Sequence, residues 1–159
     1  MKKSKLGLAA ILMLAAAIAG AHTNEYLDTL SAPHGGQLRM SGPYHFELVM
    51  EQDCPGTDGA AKERDIIVYV TDHGDVKIPT AKGEAKATLI SGKQKVEVKL
   101  QPDGDNRFKG VAKYRADPKL NVAVFVKLPD QQAEAARFAP FKKKAKAKAA
   151  DGAGKQPHH

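Results

Sequence analysis

Tyr44-His45-Phe46-Glu47-Leu48-Val49-Met50, residues 44–50, is the stretch that decides the fold. Tyr44, Phe46, Leu48 and Met50 alternate with His45, Glu47 and Val49, a period of two that belongs to a strand with one face buried. Met50 is in phase with that apolar face, so packing explains it. Working outward, Ile66-Ile67-Val68-Tyr69-Val70 is a β-branched run that predicts a central strand. Asp72-His73-Gly74-Asp75 closes it with turn chemistry. Shorter candidates follow at 85–90, 96–100, 108–114, 122–126 and 135–138. Ser91-Gly92-Lys93, Pro102-Asp103-Gly104-Asp105-Asn106 and Asp117-Pro118 punctuate them, and residues 53–62 read as a loop. Seven or eight short strands with such turns predict an all-β domain over residues 37–138. The expected form is an antiparallel β-sandwich of immunoglobulin-like architecture, without the Cys…Trp…Cys hallmark of antibody domains.

The flanks differ from this body. Lys2, Lys3 and Lys5 precede an apolar run over residues 6–19, and Ala19-Gly20-Ala21 fits a small-x-small cleavage site. The run falls short of the roughly twenty residues a membrane span needs. Residues 1–21 therefore read as a signal peptide, the expected location is the periplasm, and the mature chain would begin at His22. Residues 22–36 form a polar lead-in, either ordered or a loose arm. Residues 139–159 are rich in Lys and Ala, and are expected to form a disordered basic tail.

At 159 residues the chain suits one domain. Its 27% charged residues exclude a polytopic membrane protein, and its single cysteine excludes a disulfide scaffold or a Cys-rich zinc site. The net charge of +7 is a property of the ends. Residues 22–136 carry 15 basic against 17 acidic side chains, so the body lacks the basic footprint of a nucleic-acid-binding domain. Membrane contact is expected at most weakly and peripherally, through tail lysines on anionic lipid.

No Gly-x-Ser-x-Gly, Ser-x-x-Lys, His-Glu-x-x-His, Walker or Gly-x-Gly-x-x-Gly motif occurs, and the chain is not expected to be an enzyme. Cys54, beside Pro55, reads as a plain loop residue. The histidines carry more. His34 precedes Gly35-Gly36, a pair that lets the backbone turn tightly and approach closely. His45 shares a strand face with Glu47, and His73 ends the next strong strand. Each has a structural explanation: a turn cap, a half-buried strand residue bonded to Glu47, and a solvated turn residue. Together, near strand ends, they are candidate ligands for a Cu or Zn ion, because neutral imidazole suits both. His22 joins them if cleavage exposes its α-amino group. Met40 and Met50 add thioethers suited to Cu(I), and His158-His159 are assigned no site.

Three segments, PHGGQLRMSGPYHFELVM (33–50), IIVYVTDHGDVKIPT (66–80) and GDNRFKGVAKY (104–114), resemble a group of small exported bacterial proteins. They are also similar to a soluble segment of the periplasmic adaptor subunits of heavy-metal efflux systems. The likeness spans residues 33–138, and the chain lacks the adaptors' helical hairpin, lipoyl-like and barrel parts. It implies a periplasmic β-sandwich near metal resistance, binding metal through His34, His45 and His73, with an efflux component as partner. The expected function is thus a periplasmic metal-binding accessory, buffer or carrier, with copper ahead of zinc, linked to heavy-metal efflux or resistance. The alternative is a non-catalytic immunoglobulin-like interaction module of the cell envelope.

Overall fold

The computed structural model describes residues 23–53 and 59–142. One short helix and eight strands follow in order: α1 (Asn24–Thr29), β1 (Gln37–Ser41), β2 (Tyr44–Met50), β3 (Lys62–Asp72), β4 (Glu84–Ser91), β5 (Gln94–Pro102), β6 (Arg107–Tyr114), β7 (Asn121–Lys127) and β8 (Glu134–Phe138). The all-β, antiparallel expectation holds. The strands form one continuous sheet, in the order β1-β2-β3-β6-β5-β4-β7-β8, rather than two separate ones.

Two halves, β1-β2-β3-β6 and β5-β4-β7-β8, meet in the ladder at two residue pairs only, Gln101↔Lys109 and Pro102↔Phe108. Gly110 makes the corner possible, since a Cβ there would lie 2.7 Å from Leu100 Cδ2 and 2.9 Å from the Lys99 carbonyl oxygen. At the other end the edge strands β1 and β8 face each other. Ser41 Oγ donates to the Ala135 carbonyl across 2.9 Å, and the Ala139 amide donates to Gln37 Oε1 across 2.8 Å. The sheet is thereby nearly closed into a barrel, and its edges are spared pairing with other chains.

The interior is filled by the inward residues of β2 to β8, with Phe46, Phe108, Phe138, Ile66, Val70 and Val124 among the most buried. Each fully buried side chain of this size contributes about 1.5–3 kcal/mol. Gly42 and Pro43 make the two-residue turn between β1 and β2. Gly42, at φ 56°, supplies the positive angle that a tight hairpin requires at its first position.

The lead-in is ordered from its first described residue. Thr23 caps α1, Leu27 is buried, and Asp28 accepts hydrogen bonds from Arg39 (2.7 and 3.2 Å) and Gln37 (3.2 Å). The helix is thus fastened to edge strand β1. The tail also begins later than its composition suggests. Phe141 packs against the core and stacks with Tyr114 at 6.0 Å, which corrects the expectation of disorder for residues 139–142. Lysine-rich composition hid that one aromatic. Residues 1–21, read from sequence as a signal peptide, lie outside the described residues, as do His22, Cys54 and residues 143–159.

Candidate functional site

Strand β2 differs from its neighbours in one respect. Alternation predicts its odd-numbered residues on the outer face, and His45 and Glu47 are on that face, yet both are buried. The register sets Leu38, Glu47, Tyr69 and Arg107 in one row across β1, β2, β3 and β6. Met40, His45 and Thr71 form the next row. Two segments of chain lie over these rows: the stretch 33–36 and the turn 72–77.

The first segment is held by Glu47, whose carboxylate is 4% exposed. Its Oε1 accepts the amides of His34 (2.8 Å) and Gly36 (3.0 Å), and its Oε2 lies 2.7 Å from His34 Nδ1. The close approach explains the glycine, because a Cβ on Gly36 would collide with the Leu48 carbonyl. The expectation that Gly35-Gly36 serves a near backbone contact is met at Gly36. An ionised carboxylate only accepts hydrogen bonds, so Nδ1 of His34 carries the proton and Nε2 keeps its lone pair while the ring is neutral. The ring lies flat on Tyr69, with centroids 3.6 Å apart and planes 3° off parallel. The guanidinium of Arg107 sits beside the Tyr69 hydroxyl and Asp103, and both hold it protonated beyond the ordinary arginine value.

The second segment presents His73. Asp72 Oδ1 accepts the amides of Gly74 (2.8 Å) and Val76 (2.9 Å), and Asp75 turns the chain at φ 61°. This Asx-type turn sets the exposed His73 ring over His45, with centroids 4.9 Å apart. Asp75 Oδ1 lies 4.0 Å from His45 Nδ1. Below, Asn106 Nδ2 donates to the Val70 carbonyl and the Val70 amide to the Asn106 carbonyl, fastening the loop after β5 to β3.

Between the two segments lies a cavity of about 260 Å³, walled by His34, His45, Glu47, Tyr69, Asp75 and Lys77, among others. Of the four predicted ligands, His34 and His45 line this cavity, His73 stacks on His45 from outside it, and His22 is not among the described residues. Glu47 partners His34 across thirteen positions, where the sequence had suggested His45. Among the described residues, no three His, Cys, Asp or Glu side chains stand together as a ready metal site. Convergence of His34, His45 and His73 on one point is therefore not observed. Tyr69, Asp75, Lys77 and Asn106 escaped the sequence reading, although Tyr69 was legible as an outward position of β3. A larger open groove of about 470 Å³ runs over β4, β5 and β7 around Phe125, but brings only Lys and Glu to its rim and no imidazole.

The fold and site define an all-β protein with an imidazole–carboxylate cavity on the outer face of its sheet. Neither a scan of protein-family models nor searches of curated proteins and of solved structures returned a match for this chain.

Proposed function

We propose that this protein is an exported metal-binding accessory, with copper preferred to zinc, that captures an ion on the outer face of β1–β3 and passes it to an efflux component. The periplasmic location rests on the reading of residues 1–21 as a signal peptide. The observation that carries the metal reading is the His34–Glu47 pair. A carboxylate on one ring nitrogen fixes the tautomer, orients the ring and raises the basicity of the other nitrogen, the arrangement found behind histidine ligands in metal sites. His34 would be the first ligand, and His45 and Asp75 line the same cavity. Side-chain rotation would bring one of them to the ion.

The decisive experiment is calorimetric titration of the chain beginning at His22 with Cu(II) and Zn(II). Sub-micromolar binding is expected, weakening as pH falls through about 6.5, where free imidazole protonates. His34→Ala should weaken it most. Glu47→Gln should weaken it about 10- to 100-fold, as loss of an orienting partner does elsewhere. Absence of sub-micromolar binding would overturn the reading.

The absence of a preassembled three-ligand group among the described residues favours the second reading, an immunoglobulin-like interaction module. In that case the two halves of the sheet serve as sandwich layers, and Glu47 is only a latch for the lead-in. Retention of a partner by the His34→Ala variant, without metal, would support it.

A further inference from the structure

We propose that the open seam between β5 and β6 takes up an extended acidic peptide as an added strand. The inference stands apart from the metal reading and concerns a different part of the sheet. The terminal edges β1 and β8 cover each other, but the sheet keeps an internal edge. Strand β5 pairs with β4 from Gln94 to Leu100, whereas on its other side only Gln101 and Pro102 find β6. Ser91 and Gln94 flank the two-residue turn Gly92-Lys93, and residues flanking such a turn exchange both their backbone bonds. Alternation then turns the amides and carbonyls of Lys95 and Glu97 away from β4. Among the described residues, no strand pairs with them there. Gly110 to Tyr114 of β6 likewise pair with β3 alone.

Beside this edge the interior is uncovered. Val96 opposes Leu89 and shares a strand face with Leu100, yet Leu89 and Leu100 are buried while Val96 is 45% exposed. With Leu89, Tyr114 and Leu120 it walls a cavity of about 320 Å³. An edge merely guarded against pairing carries charge without such a hollow. An added strand projects alternate side chains to opposite faces, so every second residue enters the apolar space and the others face out. The surroundings select the sign of those outward residues. Lys93, Lys95, Lys99, Lys113 and Arg115 stand exposed along the two margins against Glu97 and Asp117, and Glu97 is already paired with Lys95 at 3.0 Å. Residues 143–159, with five lysines against Asp151, have the wrong sign to fill the seam. An acidic strand with an apolar residue at every second position satisfies the free amides, the hollow and the charge together.

The test titrates the full mature chain with the peptide acetyl-Glu-Val-Glu-Val-Glu-Val-Glu-amide at neutral pH, followed by NMR and amide hydrogen exchange. Saturable binding is expected, weakening as salt rises, with the Lys95 and Glu97 amides slowing their exchange when the peptide is bound. Lys113→Glu, on the surface, should weaken binding at least about tenfold without loss of fold. Glu97→Pro removes an amide that faces the seam, where an edge strand admits proline. Its thermal midpoint should hold while binding falls at least about tenfold. The lysine counterpart of the peptide, and a version N-methylated at alternate residues, should not bind. Absence of binding, equal binding of either control peptide, or exchange at Lys95 and Glu97 unmoved by the peptide overturns the proposal. So does a concentration-dependent dimer that Glu97→Pro disperses, because a second copy would then be the occupant.

Discussion

Strands β2 and β5 read alike in sequence, each alternating apolar with polar residues, yet their outer faces have opposite fates. On β5, Lys95, Glu97 and Lys99 are exposed, and Glu97 finds Lys95 at 3.0 Å on its own strand. That neighbouring ammonium, by hydrogen bond and charge, holds the Glu97 carboxyl below its ordinary value. On β2, Glu47 is sealed beneath residues 33–36 and accepts from two backbone amides and a ring nitrogen. The same residue type on the same kind of face is a solvated ornament in one half and a buried anchor in the other. What differs is not the strand but the chain laid over it.

The contrast can be broken most severely at Glu47. Glu47→Ala removes the acceptor of three bonds and leaves two amides under cover without a partner, at a cost of about 3 kcal/mol. Urea denaturation measures this, and a cost below 1 kcal/mol would mean that the lead-in contributes little to stability. Gly36→Ala sharpens the comparison without touching a charge. Its Cβ must displace the Leu48 carbonyl or residues 33–36, and overpacking of this kind costs about 1–3 kcal/mol by the same assay. The smallest effect belongs to Glu97→Ala, which should leave the urea midpoint essentially unmoved, because an exposed pair is screened by water and salt. A larger loss there would show that the two faces are less different than their burial suggests.

Much of this was legible in the sequence, and what was not has a physical reason. Tyr44, Phe46, Leu48 and Met50 announced β2, and the β-branched run announced β3. Strand β1 was missed because Gln37-Leu38-Arg39-Met40-Ser41 offers only two apolar residues in five, and it is the polar Arg39 and Ser41 that are buried. The Gly42-Pro43 turn and the pairing with β2 impose its conformation. The nearly closed barrel was unreadable, since continuity of the sheet depends on two pairs at the end of β5 and on a glycine at 110. The candidate ligands were all visible by type. Their partners were not, because local spacing sets His45 beside Glu47, whereas tertiary packing delivers His34 to it and stacks His73 on His45.

The narrow junction between the halves has a consequence for how the chain can be divided. The backbone passes from the first half to the second after β3, returns for β6, and leaves again for β7. Neither group of four strands is therefore a contiguous piece of polypeptide, and no single cut releases one with its neighbours intact. Both line the same interior, so neither owns a core that would survive alone. A truncation ending after β5 would keep three strands of one group and two of the other, with β6 missing between β3 and β5. Fragments of this protein should accordingly recover structure only as complementary pairs, the shared interior being completed when the second piece arrives.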